Sequence, residues 1–237
     1  MKITKGKTAV FIDYANIKAW AKEKGLTFDL EVLYQYLKNL GAEKIIFYYG
    51  TDPKNPRSHA FLLKVRQIGF EVVTKPVKYI KVGLLSLFQQ RGNREALTKL
   101  SPVIQKAIFK QLEQPRKKQI KILLPKANFD AEMTLDMVLF EKSFDSFIIF
   151  SGDSDLLVIT KYLRSKNKRV AVAAGKKYLA GELIGEANNI VRLERLVKKV
   201  KGLVKKLPPK TPDEPGKKSK YYIAQKKKVV KRQNGNN

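Results

Sequence analysis

The sequence predicts an α/β fold, a mostly parallel sheet with helices on both faces in three layers, and three observations predict it. Short apolar runs alternate with segments of helical period from about residue 8 to about residue 197. Two of those runs finish in acids: Phe11-Ile12-Asp13, and Phe147–Phe150 with the turn Ser151-Gly152-Asp153-Ser154-Asp155 behind it. In a doubly wound sheet, ligands bind beyond the carboxyl ends of the strands, where strand order reverses. Finally, the charge separates along the chain. Of a formal +28, residues 75–126 carry +11 and residues 198–237 carry +12, so the remainder, at +5, has the balance of an ordinary globular domain.

The elements follow in order. Thr8–Asp13 (TAVFID) is a short apolar run and reads as a buried strand. A helix is expected from about Asn16 to Lys24, stopped by Gly25. Asp29 is placed to cap a second helix, in which Val32, Leu33, Tyr36, Leu37 and Leu40 recur at helical spacing before Gly41. Lys44–Tyr49 (KIIFYY) is the next strand, Ser58–Ile68 a helix ended by Gly69, and Phe70–Thr74 a strand. The rhythm breaks over 75–126. There Leu84–Gln90 and Val103–Leu112 look helical and Ile120–Leu124 extended, but bases interrupt every apolar face. This segment reads as a basic insertion. The alternation resumes with a helix over Asp130–Lys142, a strand at Phe147–Phe150, a helix over Leu156–Ser165 and a strand at Arg169–Ala174. Helices are expected over Tyr178–Glu186 and again over Arg192–Lys206. Residues 1–197 therefore read as one domain. Residues 198–237, with Pro208, Pro209, Pro212 and Pro215 ahead of a lysine-rich end, read as a helix end, a linker and a tail without a core of its own.

Composition narrows the chemistry. With no Cys, disulfide scaffolds, cysteine-ligated zinc and thiol catalysis are excluded, and a single His (His59) excludes a multi-histidine metal site. No run approaches 18 apolar residues, and the apolar run near the start, Ala9–Ile12, is shorter than the core of a secretion signal. The expected setting is soluble, reduced cytoplasm with no membrane role. Gly6-Lys7-Thr8 lacks the strand and glycine that a Walker A loop needs ahead of it, and no GxGxxG occurs. Ala15 stands where an aspartyl-phosphate phosphatase would need a second Asp.

The acids at the strand ends are the candidate chemistry: Asp13, Asp153 and Asp155, with Asp130 at the start of the helix that leads to the second strand. Asp136 follows on that helix beside Met133, Met137 and Phe140. Each has a plainer reading. Asp13 serves equally as a helix cap, Asp153 and Asp155 can share a cap with Ser154 competing, Asp130 alone reads as an N-cap, and Asn16 as a cap or turn residue. Convergence favours a site. Carboxylates gathered in one crevice repel and take up protons unless a cation offsets them. Oxygen-only ligands suit Mg²⁺ or Mn²⁺, ions that promote phosphodiester hydrolysis without any His or Cys.

Three stretches carry a resemblance: FIDYAN (Phe11–Asn16), KANFDAEMTLDMVL (Lys126–Leu139) and FIIFSGDSDLL (ending at Leu157). Together they resemble the NYN (LabA-like) branch of the PIN-like nuclease superfamily, and VAVAAGKKYLAGELIGEANNIVRL resembles the closing strand and helix of that family. The match covers about residues 8–196. It implies a PIN-like (Rossmann-like) sheet and a metal-dependent ribonuclease whose acids hold Mg²⁺ or Mn²⁺. Under it Asp13 and Asp153 are metal ligands. Asp130, Asp136 and Asp155 are further ligands or positioners of a catalytic water, with Asp130 and Asp155 placed among the ligands. Asn16 is an orienting amide, and Ser151 a motif serine placed to contact phosphate. The chain departs from the family pattern at Leu156, where Phe is usual, and at Asn188, where Asp is common.

An acidic site repels a polyanion, so affinity has to come from elsewhere. Lys75, Lys78, Lys81, Arg91, Arg94, Arg116, Lys117 and Lys118 in the insertion, and the basic tail, are the candidate phosphate contacts. Tyr79, Phe88, Tyr221 and Tyr222 lie among them, placed to stack on unpaired bases. The plainer reading of such runs is a solvated lysine face. The expected partner is RNA, with DNA an alternative, and homodimerisation is left open. The rival readings are a non-catalytic RNA-binding protein on the same fold and a DNA or structure-specific nuclease.

Overall fold

The computed structural model describes residues 4, 6–53, 55–83, 101–113 and 121–207. The helix expected at Leu84–Gln90, the candidate bases Arg91, Arg94, Arg116, Lys117 and Lys118, the aromatics Phe88, Tyr221 and Tyr222, and the tail beyond Leu207 lie outside the described residues. The chain divides into two compact units, one of residues 1–77 and 127–209, the other built on 78–126.

In the first unit, β1 (Thr8–Asp13), β3 (Ala42–Thr51), β4 (Glu71–Pro76), β7 (Ser146–Phe150), β8 (Arg169–Ala174) and β9 (Asn189–Arg192) form one six-stranded sheet in the order β4-β3-β1-β7-β8-β9. Every pairing is parallel. Counting sheet strands alone, the order is third, second, first, fourth, fifth, sixth, so the winding reverses between β1 and β7. This is the doubly wound topology that the alternation of elements implied.

Both sheet faces are covered, which is why the strands are apolar continuously and not at every second residue. On one face Val10, Ile12, Ile45, Phe47, Ile148 and Phe150 meet α1 (Tyr14–Glu23), α2 (Leu30–Asn39), α3 (Pro56–Ile68) and the short helix Leu193–Lys199. On the other, Phe11, Ile46, Tyr48, Phe147 and Ile149 meet helices Asp130–Leu139 and Leu157–Ser165 and the short helix Gly181–Glu186. Caps set the helix starts. Asp29 accepts hydrogen bonds from the N–H groups of Glu31 and Val32 at 3.1 and 3.3 Å, and Asn55 accepts one from Arg57 ahead of α3. Leu30, Leu33 and Leu37 fill the buried stripe of α2.

Two expectations are corrected. Arg192–Lys206 is not one helix: β9 ends at Arg192, the helix stops at Lys199, and the chain turns at Gly202 (φ 79°). It then runs as β10 (Val204–Lys206), antiparallel to β2 (Leu26–Phe28), a strand too short for periodicity to reveal. The helix expected from Tyr178 begins only at Gly181, because Leu179 and Ala180 are extended and the Ala180 N–H donates to the Gly152 carbonyl at 2.9 Å.

The described part of the second unit holds β5 (Lys78–Gly83) paired antiparallel with β6 (Lys121–Lys126), and α4 (Pro102–Leu112). Lys78, Lys81, Lys121 and Lys126 are exposed, with Lys78 directly opposite Lys126. Tyr79 is 37% exposed.

Candidate metal centre

The strand order reverses between β1 and β7, and the carboxyl ends of these two strands carry Asp13 and the Ser151–Asp155 turn. α5 (Asp130–Leu139) starts beside them. Carboxylate oxygens of Asp130, Asp153 and Asp155 all lie within 4.8 Å of one another.

Asp13 fills both of its possible roles. Its Oδ1 accepts the Asn16 N–H at 3.2 Å and so caps α1. Its carboxyl is also pushed from 3.8 up to about 6, first by burial, with Asp130 and Asp153 adding repulsion, while the N–H groups of Asn16 and Ala15 pull the other way.

Asp130 does not act as the cap. Asn128 Oδ1 accepts the Asp130 N–H at 3.0 Å, which leaves Asp130 as the first residue of α5 with its carboxylate in the acidic group. The Asp153 Oδ1 accepts the Asp155 N–H at 3.1 Å, closing a tight turn that brings both carboxylates to one side. Ser151 is wholly buried and its Oγ accepts the Asp153 N–H at 3.4 Å. It props the turn from beneath, and its hydroxyl has no exposed surface in this structure. Gly152 lies against the next loop so closely that a Cβ would stand 2.0 Å from the Tyr178 carbonyl oxygen.

Asp136 is not brought into the group of three. It is half-buried, six residues along α5 from Asp130, and its Oδ2 accepts the Tyr48 hydroxyl at 2.6 Å. Burial, then that bond, push the Tyr48 hydroxyl well above its ordinary range. The Asn16 Oδ1 is buried with no hydrogen-bond partner among the described residues. Lys75 belongs to β4 in the first unit. Its ammonium pairs with Glu132 and lies 4.7 Å from the centre of the Phe129 ring, so it braces the start of α5 instead of standing available to phosphate. His59 is exposed on α3.

The departures from the family pattern leave this geometry intact. Leu156 is buried in the core under the turn. The Asn188 Oδ1 accepts the Val170 N–H at 2.8 Å, while its own N–H donates to the Val170 carbonyl at 2.9 Å. Val170 stands near the start of β8, so Asn188 is at the edge of the sheet opposite the acids, and no charge is lost at the site.

The donor set fits a hard divalent cation. Every available ligand atom is a carboxylate or amide oxygen, and an octahedral Mg²⁺ places its ligand oxygens about 2.9 Å apart when adjacent and about 4.2 Å when opposite. The spacing of the three carboxylates needs only small side-chain adjustment to match. Sequence reading missed three supports of the site: Asn128, Tyr48 and the close approach at Gly152. An Asn two residues before the helix-leading Asp was the available signal for the first. Nothing local announced Tyr48.

The NYN domain pattern matches residues 7–88 and 85–194. Over 115 residues the chain is 27% identical to the "Low amplitude and bright protein LabA" of Synechococcus elongatus. That alignment takes in 48% of this chain and 61% of LabA, so the chain spans less than two thirds of that relative's length. A solved structure of a protein of unknown function from Vibrio parahaemolyticus superposes with a TM-score of 0.54 at 21% identity, covering 80% of this chain and 94% of that one, a likeness of fold. With the pattern spanning most of the chain and the acids where a doubly wound sheet places its ligands, the chain belongs to the NYN domain family, within the nuclease-like PIN superfamily.

Proposed function

We propose that this protein is a metal-dependent ribonuclease that cuts RNA internally. The observation that carries the reading is the group of carboxylate oxygens from Asp130, Asp153 and Asp155 within 4.8 Å of one another, beside Asp13 at the reversal of strand order. Asp130, Asp153 and Asp155 would hold Mg²⁺ or Mn²⁺, with Asp13 as the fourth acid. A bound cation supplies an activated nucleophile, neutralisation of the phosphate and orientation for in-line attack. The chain's own residues set the geometry. Asp153 and Asp155 are locked by the turn and its Ser151 prop, Asp130 by Asn128, and Asp13 by the first turn of α1. Asn16 keeps a buried amide oxygen with no hydrogen-bond partner among the described residues, suited to orienting a water. Asp136 acts through position, holding α5 to β3 by way of Tyr48.

Substrate affinity is assigned to the exposed lysines of the β5–β6 ribbon, Lys78, Lys81, Lys121 and Lys126. Like charges directly opposite on a ribbon, as at Lys78 and Lys126, are costly unless an anion lies along them. Among the described residues no helix is long and apolar enough to cross a membrane.

Cleavage of an internally labelled single-stranded RNA, with and without Mg²⁺ or Mn²⁺, tests the reading. The wild type should cut only with the metal, and Asp13→Asn and Asp153→Asn should each lose on the order of a hundredfold or more. Equal activity in all three proteins would sink the assignment. Salt-sensitive RNA binding without cleavage would favour the non-catalytic rival, and faster cutting of DNA would favour the DNA nuclease.

A further inference from the structure

α5 is apolar on two opposite faces. Met133 and Met137 are wholly buried against the sheet. Ala131, Leu135, Val138 and Leu139 recur at the i, i+4, i+7, i+8 spacing of a single helix stripe, and all four are exposed. Leu135 is 59% exposed and Leu139 64%. A helix that is apolar all round ordinarily has cover on every side. Single exposed leucines are commonplace, whereas a continuous stripe marks a contact surface.

The stripe also lacks charge, in a chain with 49 lysines and arginines. α5 holds none of them, whereas α1, α2, α3, α4 and the helix Leu157–Ser165 each carry at least one. Its three acids are engaged elsewhere: Asp130 in the acidic group, Glu132 with Lys75, and Asp136 with Tyr48. The helix Leu157–Ser165 packs beside α5 and adds Val158, exposed on its first turn. Both bases of that helix, Lys161 and Arg164, reach to Glu186. With no cation on the stripe, phosphate has nothing to hold there, so nucleic acid is a poor occupant.

We propose that α5 pairs with α5 of a second copy of this chain, antiparallel, about a two-fold axis at Leu135. The stripe is complementary to itself in that arrangement. Ala131 of each helix lies opposite Leu139 of the other, small against large, and Leu135 meets its twin at the centre. Val138 falls beside position 132, where the Glu132–Lys75 ion pair gives each copy a polar rim. Net charge favours the same face. Copies that each carry +28 repel over most of their surface and come together best where no base stands. The stripe offers on the order of 300 Å² of apolar surface per copy, under half of the roughly 800 Å² each partner gives to a standard interface. The dimer is therefore expected to be weak, in the micromolar range. It does not rest on the nuclease reading.

Sedimentation velocity tests it, on full-length, nuclease-treated protein from about 1 to about 200 µM, in about 0.1 and about 0.5 M salt. A monomer–dimer equilibrium is expected that tightens as salt rises, because screening removes repulsion between copies. Association bridged by nucleic acid would weaken with salt instead. Leu135→Lys sets like charges face to face at the axis and should weaken the dimer by at least about tenfold. Leu63→Lys, at an equally exposed position on α3, should leave it unchanged. Both variants should keep the wild-type melting point in dilute solution. The chain has no cysteine, so Leu135→Cys can form a disulfide only with another copy. Oxidation should give covalent dimer from Leu135→Cys and far less from Leu63→Cys. Asp153→Asn should dimerise as the wild type does, which keeps this result separate from that of the cleavage assay. A monomer at every concentration, a dimer that weakens with salt, or equal effects of Leu135→Lys and Leu63→Lys would overturn the proposal. Cover of the stripe by a different protein or by the chain's own tail would appear as the first of these.

Discussion

Tyr48 and Asp136, 88 residues apart in the chain, are joined by a 2.6 Å hydrogen bond between the hydroxyl and a carboxylate oxygen across the junction of sheet and helix. Tyr48 is level with Asp13 in the sheet register, one strand over, so the bond holds α5, which begins at Asp130, against β3. Tyr48→Phe leaves a half-buried carboxylate oxygen without its donor and should cost about 1–3 kcal/mol in denaturant unfolding. Asp136→Asn keeps an acceptor and should cost less than about 1 kcal/mol. Its Mn²⁺ affinity should stay close to wild type, whereas Asp153→Asn loses it. Loss of Mn²⁺ binding in folded Asp136→Asn would make Asp136 a ligand instead.

Asp13 gives the cation-free protein a pH dependence of definite sign. Its carboxyl titrates near 6 in the folded state against 3.8 ordinarily, so the folded state holds more protons between those values. Stability of the cation-free protein therefore falls as pH rises through that window and stays lowered above it, by on the order of 3 kcal/mol from this group. The difference in unfolding free energy between wild type and Asp13→Asn, measured in chelator from pH 4 to 8, should follow that fall. Divalent ion should restore wild-type stability at pH 7.5, and its affinity should weaken below about pH 6. A flat difference curve would remove the burial argument for Asp13.

Nucleic-acid affinity assigned to the ribbon makes a quantitative claim about salt. Replacing Lys78, Lys81 and Lys126 together with Ala should lower the slope of log affinity against log salt by about two on single-stranded RNA. Thermal melting should be unaffected, since the three side chains are exposed. An unchanged slope would place the phosphate contacts elsewhere.

Gly69 ends α3 at φ 115°, and a Cβ there would stand 2.6 Å from the Tyr34 hydroxyl oxygen. Gly69→Ala meets backbone strain and a clash at once, and should destabilise by on the order of 2 kcal/mol or more, seen as a lower denaturation midpoint with unchanged slope.

How much of this was legible in the linear chain depended on how local the cause was. Asp13, Asp153 and Asp155 could be read because a strand end followed by a turn is a local signature, and strand order then brings two such ends together. Asp130 reads as an N-cap, yet the helix begins on it: Phe129 stands at the cap position and the Asn128 side chain takes the Asp130 N–H, an arrangement that only geometry decides. Periodicity gave Asp136 a half-apolar face and could not supply Tyr48, which arrives from a different strand. Arg192–Lys206 read as a helix because Leu193, Leu196, Val197 and Val200 recur at helical spacing, although β10 finds its partner in β2 far up the chain. The junction of Trp20, Lys176 and Glu194 was invisible for the same reason, since these residues meet only after the sheet is wound.

The contact at Gly152 is backbone against backbone, with no side chain between the acid turn and the loop of Tyr178 and Leu179. Side chains act as cushions, because a rotamer change absorbs a small displacement. Here there is no cushion, and the Ala180 N–H to Gly152 carbonyl bond pins the two loops at the same point. They behave as one rigid splint: Asp153 is carried on one arm and Tyr178 on the other. A substitution that enlarges residue 152 would pry both arms apart together.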